Sequence, residues 1–405
     1  MTTAETGAVL RNSGAAPLFQ LSADHREILD QADRYARETL HPLCAKMDAE
    51  EWWPDESFRK LGEDGWFGIT VPEEYGGVGA DLFTSGLVLE GFARWNHALA
   101  LSWVAHENLC LNNIYQNGND AQRQRYVPGL CSGAFVGALG LTEPGAGSDA
   151  LGSMRTTARR EGDYYVLNGQ KLYITNGPVA DVLLVYAKTD ASLGPKGISA
   201  FIVEKNFPGF GVAQKLTKMG YRGSPTAELV FDECRVPAEN LVGQENRGVA
   251  VVMSGLDFER AMIAPLCLGV AERALDLAIE HAKTRTQFGK PIGTFQMVQS
   301  LIAEMYVDVE TTRAFTYHGL AKAQELEAGG RSGDVHMATA AAVMHAADAV
   351  HRVLDRAVQV HGGIGYIWES EINRLYRSIK LLEIGAGTTE VRKMIIAGEL
   401  LKDIL

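Results

Sequence analysis

The sequence is short of cysteine, of long apolar runs and of excess positive charge, and each shortage excludes a class of protein. Only five cysteines occur among 405 residues, and no two of them have the spacing of metal ligands. This odd, scattered set favours reduced thiols over a disulfide framework or a metal site. No apolar stretch reaches the ~18 residues of a membrane span, so we expect no membrane insertion. The net charge of −12 argues against nucleic acid as a partner.

The amino-terminal segment also lacks a targeting signal. Residues 1–20 are small and polar, with a single arginine and no apolar core. Signal and transit peptides need such a core or several arginines. We therefore predict a flexible tail over residues 1–20 and a cytoplasmic protein, or a mitochondrial-matrix protein if the chain is a mature eukaryotic form.

The hydrophobic pattern changes twice along the chain and predicts an α+β fold. Helical periodicity begins after Ser22, a residue suited to an N-cap, and continues to about Leu130. Alternating segments typical of strands follow, and long helical periods return from Val251 onward. We predict an N-terminal helical domain over 1–134, a β domain over 135–250 and a C-terminal helical domain over 251–405.

Two local patterns within this scheme make sharper predictions. The segments Tyr164–Leu167 and Lys171–Ile174 flank Asn168 and Gly169, a pair that favours a type I′ hairpin. The glycine-rich run 328–333 predicts a loop between two helices. Further strands are predicted over Asp181–Ala187, Gly197–Val203 and Thr226–Phe231.

A glycine-punctuated segment, Leu141–Asp149, could bind a ligand. Glycines let backbone N–H groups approach a planar or anionic molecule, and Thr142 and Ser148 add hydroxyl donors. The segment lacks the lysine and the strand–helix setting of the known nucleotide-binding loops. Taken alone, it could equally be a structural turn.

Four motifs in register resolve this ambiguity. These motifs are Leu141–Asp149, Tyr173–Gly177, Arg285–Lys290 and Gln359–Gly363. Through them the chain resembles the acyl-CoA dehydrogenases from about residue 22 to its C-terminus, and within them the isovaleryl-CoA dehydrogenases.

The resemblance implies the architecture, the cofactor and the partners. It implies a C-terminal four-helix bundle, a homotetramer, an acyl-CoA substrate and an electron-transfer flavoprotein as electron acceptor. It also implies that FAD binds between the β domain and the C-terminal helices. Arg285, Gln296 and the segment Gln359–Gly363 are expected to reach FAD across a subunit interface. The expected FAD-binding residues are Leu141, Thr142, Gly147, Ser148, Tyr173, Ile174, Thr175, Arg285, Gln296, Gln359, Val360, Gly362, Gly363, Thr388, Thr389 and Glu390.

The expected reaction removes hydrogens from Cα and Cβ of a thioester, which needs a carboxylate for the α-proton and donors for the thioester oxygen. Many family members carry their base at the position of Ala386, whose methyl group cannot act as one. Its backbone N–H can still serve the oxygen. The resemblance places the base at Glu259, and it implies a substrate site formed by Ser148, Asp257, Phe258, Arg260, Gly385, Ala386 and Gly387.

Several alternatives stay open at this point. Glu383 and Glu390 are rival bases, and an exposed helix carboxylate is the simpler interpretation of Glu259. Gly385 leaves space for a branched acyl chain, or it could merely suit a tight turn. Ala250 and Tyr173 replace a tyrosine and a tryptophan of the relatives. A longer or carrier-bound acyl group, oxygen as the acceptor, or a flavin-binding protein without dehydrogenase activity are therefore further hypotheses.

Overall fold

The computed structural model describes residues 21–327 and 332–402. The predicted tail, residues 1–20, and most of the predicted loop at 328–333 lie outside this range. The chain divides into two compact units: one contains 46–85 and 98–260, and the other contains the described residues up to Ala45, Gly86–His97 and Ala261 onward. The three-domain boundaries drawn from the sequence stay a prediction, because these units follow packing rather than chain order.

Helices precede and follow a single large sheet, which confirms the predicted α+β class. Ser22 caps the first helix, and its hydroxyl accepts a hydrogen bond from the His25 backbone N–H at 3.0 Å. The helices before the sheet are α1 Ala23–Tyr35, α2 Cys44–Glu50, α3 Asp55–Glu63, α4 Leu82–Trp95, α5 His97–Val104, α6 Asn112–Asn117 and α7 Asp120–Cys131.

Eight strands form the sheet, in the order β6-β7-β3-β2-β4-β5-β8, with β1 parallel to β4. Strand β4 is buried on both faces: Leu183 and Val185 join one apolar cluster, whereas Leu184 and Tyr186 join another with the preceding helices. Its continuous apolar sequence is typical of such a strand. The strands are β1 Gly137–Gly140, β2 Thr157–Glu161, β3 Tyr164–Thr175, β4 Val182–Lys188, β5 Ile198–Glu204, β6 Phe210–Lys215, β7 Thr226–Pro237 and β8 Leu241–Val242.

The hairpin predicted at Asn168 and Gly169 is wrong. Both residues lie inside the single strand β3, where the pairing with β7 shifts register between Leu167 and Gly169. The Asn168 side chain bonds Glu233 of β7 instead of closing a turn. The hairpin lies earlier, where Glu161 of β2 pairs with Tyr164 of β3.

Long helices form the C-terminal part of the chain. Helix α9 (Gln296–Glu327) packs against α10 (Ser332–His361), and α10 packs against α13 (Thr389–Leu400). No helix within 21–327 and 332–402 is long and apolar enough to cross a membrane. The elements are α8 Gly248–Thr284, a short hairpin of β9 Thr286–Gln287 and β10 Lys290–Pro291, α9 Gln296–Glu327, α10 Ser332–His361, α11 Glu371–Ile379, α12 Leu381–Ile384 and α13 Thr389–Leu400.

Candidate active site

A buried ion pair anchors the glycine-punctuated loop that follows β1. The Glu143 carboxylate accepts hydrogen bonds from the Lys171 ammonium at 2.8 Å and from the backbone N–H groups of Arg155 at 2.6 Å and Thr156 at 3.0 Å. Lys171 also donates to the Leu141 carbonyl oxygen at 3.1 Å. The exposed fractions of the two charged side chains are 0% for Lys171 and 5% for Glu143. Sequence reasoning missed this pair, although a lysine inside an apolar strand was a signal for it.

Charge and burial act in opposite directions on this pair. Burial opposes ionisation of Glu143, but the charge and hydrogen bond of Lys171 outweigh it, so the pKa of Glu143 falls. Burial lowers the pKa of Lys171 to about 8, although the carboxylate raises it in part. Both groups are therefore charged at neutral pH, and the loop is held rigidly at its base.

The rest of the loop is open. Thr142 is half-buried and its carbonyl accepts from the Leu172 backbone N–H at 2.8 Å, which ties the loop to β3. Gly147 and Ser148 are exposed, and a Cβ added at Gly147 would meet no atom within 4 Å. A ligand can therefore approach the backbone here, as the ligand-binding interpretation requires.

A bulge in β3 turns Tyr173 outward beside this loop. The pairing with β7 shifts register between Lys171 and Ile174, and Tyr173 adopts a φ of 62°. Its side chain is 66% exposed, whereas Ile174 is buried and Thr175 is half-buried. Bulges re-aim side chains in this way. The exposed phenol ring thus offers a flat apolar face next to Leu141–Asp149.

Asn176 directly follows the last residue of β3 and fixes the end of this strand. It is fully buried at a φ of 63°, and its amide donates to the carbonyls of Ser102 at 2.9 Å and Gly137 at 3.1 Å. This tie joins the strand end to β1 and to a preceding helix. Asn176 lies within the motif Tyr173–Gly177, but the sequence did not indicate that its side chain is buried.

Glu259 lies in the first part of α8, half-buried between two buried residues, Phe258 and Arg260. One turn earlier, a Cβ added at Gly255 would lie 2.1 Å from the Asn113 side-chain nitrogen, so the helix packs tightly at this point. Residues four apart share a helix face, so this close packing fixes the face that carries Glu259. The side chain of Asp257 lies outside the described part of the structure.

The loop between α12 and α13 belongs to the other compact unit. Ala386 adopts a left-handed φ of 55° and Gly387 a φ of 84°, and both are half-buried. Thr388 caps α13, its hydroxyl accepting from the Val391 backbone N–H at 3.3 Å. A left-handed alanine is uncommon, so neighbouring contacts must hold this conformation.

Arg392 supplies those contacts and was missed in the sequence. Its side chain is fully buried and donates to the carbonyls of Leu382 at 2.9 Å and Gly385 at 2.7 Å. The guanidinium thus fixes both the end of α12 and the start of the loop. The Ala386 peptide is positioned by this clamp rather than by its own side chain.

The two rival carboxylates near this loop are poor candidates for a base. Glu383 accepts a hydrogen bond from the Lys380 ammonium at 2.6 Å and contacts His351. Burial alone would raise the pKa of Glu383, but these two partners lower it overall. Glu390 is exposed in the first turn of α13, where backbone and Thr388 hydrogen bonds lower its pKa. A base for a weakly acidic carbon needs a raised pKa, not a lowered one.

The remaining predicted cofactor residues cluster in the same unit as this loop. Arg285 is exposed at the start of a tight hairpin whose tip, Phe288 and Gly289, has φ angles of 52° and 79°. Gln296 is the exposed first residue of α9. The end of α10 comes close to this hairpin, because His361 stacks on His281, one turn before Arg285.

Two separate places in this unit leave space for a ligand. Gln359 is exposed, Val360 is buried, and a Cβ added at Gly362 or Gly363 would meet nothing within 4 Å. A cavity of about 520 Å³, whose walls include Thr388, Thr389 and Glu390, opens beside α13. This volume is within the usual range of small-molecule sites. Among residues 21–327 and 332–402, no group of three acidic, histidine or cysteine side chains could hold a metal ion.

Three family models match the chain in order. Residues 22–134 match the model of the acyl-CoA dehydrogenase N-terminal domain, residues 138–234 the middle domain and residues 246–401 the C-terminal domain. Together they cover most of the chain.

Individual proteins give the same result. The chain is 44% identical over 381 residues to a mitochondrial isovaleryl-CoA dehydrogenase of Solanum tuberosum, covering 93% of this chain and 90% of that protein. It is 42% identical over 397 residues to a mitochondrial 2-methylacyl-CoA dehydrogenase of the same species, covering 97% and 95%. Among solved structures, butyryl-CoA dehydrogenase from Megasphaera elsdenii has a TM-score of 0.90 and 38% identity, covering 95% of this chain and 99% of that one.

Proposed function

The chain belongs to the acyl-CoA dehydrogenase family, and we propose that it converts a short, branched acyl-CoA to the 2-enoyl-CoA with Glu259 as the base. The protein is an oxidoreductase that acts on CH–CH groups and depends on FAD. The observation that carries the proposal is the left-handed Ala386 peptide, fixed by Arg392 yet bearing only a methyl group.

In the proposed mechanism, the residues of this chain bind the thioester and move one proton. Glu259 takes the α-proton, and the Ala386 N–H donates a hydrogen bond to the thioester oxygen, where negative charge gathers as the proton leaves. When bound, FAD supplies the acceptor for the β-hydride. Gly385 and Gly387 leave the substrate side of the loop without side chains.

The choice of Glu259 rests on elimination as well as on resemblance. Ala386 has no carboxylate, and Glu383 and Glu390 have lowered pKa values. Glu259 is half-buried on a tightly packed part of α8. Contact with an apolar acyl chain would remove water from its carboxylate and raise its pKa, as the reaction needs.

Anaerobic reduction of the flavin tests the base. Isovaleryl-CoA should bleach the flavin absorbance of the wild type, and Glu259→Gln should slow this bleaching by about 10²–10⁴-fold while the protein keeps its FAD. Glu383→Gln is the matched control and should be reduced at a rate near that of the wild type. A Glu259→Gln protein that bleached normally would refute the assignment.

The acyl group is proposed to be branched because of Gly385. Its φ of −73° is open to any residue, and an added Cβ would make only ordinary contacts, the nearest at 3.4 Å from the Leu381 carbonyl oxygen. The backbone therefore does not require glycine there, and the missing side chain leaves space. We favour isovaleryl-CoA, the substrate in the name of one relative that is 44% identical.

A second candidate is a longer branched or 2-methyl acyl group. Ala250 is exposed in the first turn of α8, where its methyl group occupies less space than the tyrosine of isovaleryl-CoA dehydrogenases. A relative at 42% identity is named for 2-methylacyl-CoA. A comparison of flavin reduction rates separates the two candidates. The substrates to compare are isovaleryl-, 2-methylbutyryl-, butyryl- and longer branched acyl-CoAs, together with their carrier-protein thioesters.

We further propose a homotetramer that passes its electrons to an electron-transfer flavoprotein. Large apolar side chains are exposed beside the predicted cofactor residues: Phe288 is 92% exposed, Tyr366 84% and Met297 81%. Such patches usually mark protein interfaces.

One solved structure with 39% identity and a TM-score of 0.91 is described as an electron transferring flavoprotein of Acidaminococcus fermentans. Native mass spectrometry tests the tetramer, and Phe288→Glu should weaken it.

A further inference from the structure

Strands β1 and β3 lie side by side under the predicted flavin residues without a ladder between them. In the described part of the chain, β1 pairs with β4, and β3 pairs with β2 and β7. Beyond the end of β1, the Lys171 ammonium and the Leu172 N–H hold the carbonyls of residues 141–142. At the start of β1, the Asn176 side chain donates to the Gly137 carbonyl at 3.1 Å. The distance between the two strands is therefore set by separate ties at the two ends of β1.

Asn176 uses nearly all of its hydrogen-bonding groups at this position. Its backbone N–H donates to the Pro225 carbonyl, and its own carbonyl accepts from the Ala180 N–H, both at 2.8 Å. Its side-chain amide bridges two carbonyls, Ser102 at 2.9 Å and Gly137 at 3.1 Å. The Oδ1 of the same amide is buried and accepts no hydrogen bond from the described residues, which costs stability. The side chain thus contributes two well-placed donors rather than a fully satisfied buried group.

The Gly137 residue is held from its other side as well. Its N–H donates to His106 Nδ1 at 2.9 Å, and a Cβ added to it would lie 2.8 Å from the Cys110 Cβ. His106 Nε2 lies 3.1 Å from the Leu130 carbonyl, which can only accept, so Nε2 carries the proton of the neutral ring and Nδ1 accepts. Both His106 and Cys110 belong to the π-helical segment Ala105–Leu111. The carbonyl that Asn176 binds therefore belongs to a residue that is itself held in place.

The predicted FAD-binding residues lie next to these ties. Thr175 directly precedes Asn176, and Tyr173 lies in the bulge two residues before Thr175. The loop Leu141–Asp149 starts directly after β1. A movement of the β3 end relative to β1 would change the distance between Thr175 and this loop, and with it the fit of a ligand that both contact.

We propose that Asn176 is a positioning residue of the flavin site. By bridging two carbonyls, it keeps Thr175 at a fixed distance from the loop Leu141–Asp149. This inference rests on the proposed function, since it takes Thr175 and the loop as FAD-binding. Asn176 is fully buried, so it acts through Thr175 and not by touching the cofactor.

A simpler explanation is that Asn176 merely tolerates its backbone conformation. Its φ of 63° is left-handed, a region in which asparagine is enriched and glycine has no penalty. Asn176→Gly therefore keeps the backbone conformation but removes both side-chain bonds. Asn246 offers the matched control, because it has a φ of 62° and a side-chain bond of its own, from the Thr189 hydroxyl at 2.7 Å. It lies outside the predicted FAD-binding residues.

The test compares the holoproteins of Asn176→Gly and Asn246→Gly with the wild type. Both substitutions should lower the urea unfolding midpoint. Only Asn176→Gly should raise the dissociation constant of FAD, measured by flavin fluorescence on dilution, by about tenfold, the equivalent of one lost hydrogen bond. Only Asn176→Gly should also shift the flavin absorbance maximum and reduction potential, and slow reduction by isovaleryl-CoA by about 10–100-fold.

Each outcome bears on the proposal. Equal flavin properties in the two glycine variants overturn it, and so does an Asn176→Gly protein whose FAD affinity and absorbance match the wild type. If Asn176→Gly fails to fold, Asn176→Asp decides, because it keeps the side-chain shape but turns acceptor oxygens towards the two carbonyls, and it should weaken FAD binding in the same way.

The same measurements separate this inference from the proposed function. A protein that isovaleryl-CoA reduces, but whose Asn176→Gly variant binds FAD normally, loses only this inference. A protein that no acyl thioester reduces, but whose FAD affinity falls in Asn176→Gly alone, loses only the proposed function.

Discussion

Replacing Lys171 by methionine should destabilise the compact unit that contains the sheet and at the same time loosen the loop Leu141–Asp149. The substitution keeps the length of the aliphatic stem but removes the ammonium group that bonds Glu143 at 2.8 Å and the Leu141 carbonyl at 3.1 Å. The Glu143 carboxylate, only 5% exposed, would keep two backbone N–H donors and lose its counter-charge.

The structure sets the expected size of the effect. Removing one partner of a buried ion pair leaves an uncompensated charge and typically costs about 3–5 kcal/mol. Both side chains here are at least 95% buried, so solvent offers little screening. Lys171→Met should therefore cost about 3 kcal/mol or more. Glu143→Gln/Lys171→Met, which removes both charges, should cost at least about 2 kcal/mol less than the sum of the single substitutions.

Urea unfolding and FAD content provide the two measurements. Lys60→Met is the control, because Lys60 forms a similar 2.8 Å pair with Asp64 but is 55% exposed, so its loss should lower the unfolding midpoint far less than the loss of Lys171. Lys171→Met should also retain less FAD, since Thr142 and Ser148, two of the predicted FAD-binding residues, lie on the loosened loop. Equal unfolding midpoints for Lys60→Met and Lys171→Met would show that burial does not govern this pair and refute the reasoning.

Three further predictions concern other parts of the molecule. Gly385→Tyr should lower kcat/KM for isovaleryl-CoA by roughly 10–100-fold relative to butyryl-CoA, and equal losses for both would contradict the steric argument. Arg392→Met should cost about 3 kcal/mol in thermal unfolding, because it leaves one buried and one partly buried carbonyl without their donor, whereas exposed Lys393→Met should cost less than about 0.5 kcal/mol. Burial lowers the pKa of His97 to about 3, so the unfolded chain binds a proton first. His97 should therefore contribute a fall in stability of about 1.4 kcal/mol per pH unit as the pH drops from ~6.5 towards 3, and buried His106 should add a similar fall. His97→Gln should flatten this part of the pH profile of the unfolding midpoint.

The parts of the fold that local chemistry determines could be predicted from the sequence. Ser22 was recognised as an N-cap because a hydroxyl before a helical period has one favoured role, and it bonds the His25 N–H. Strand β4 was recognised because a continuous apolar run flanked by polar residues is typical of a doubly buried strand. In both cases the interactions lie within a few residues of the signal.

The wrong hairpin shows where local chemistry is insufficient. Asn168 and Gly169 suit a tight turn, but both halves of β3 can pair with β7, and this long-range ladder is stronger than the turn preference. The register shift uses the glycine at a φ of 147°, and the asparagine side chain bonds Glu233. The same residue types that close a hairpin can also serve a bulge.

The sequence also failed to predict two sets of buried polar contacts. The Glu143–Lys171 pair and the Arg392 clamp each join groups that local periodicity treats as surface charges. Their partners are 28 and 7 to 10 residues away in sequence. Only the folded arrangement reveals that these charges are buried and which backbone groups they hold.

The two glycines on either side of Ala386 separate conformation from function within one loop. Gly387, at a φ of 84°, occupies a region that side chains strongly disfavour, so its glycine is explained by the backbone alone. Gly385, at −73°, is not, and an added Cβ would meet only ordinary contacts. Ala386 itself holds a left-handed φ although it is not glycine, because Arg392 fixes the neighbouring carbonyl. The loop can therefore exchange its central side chain without losing the peptide geometry, and this is why the base that we propose on α8 is compatible with an unchanged N–H donor at position 386.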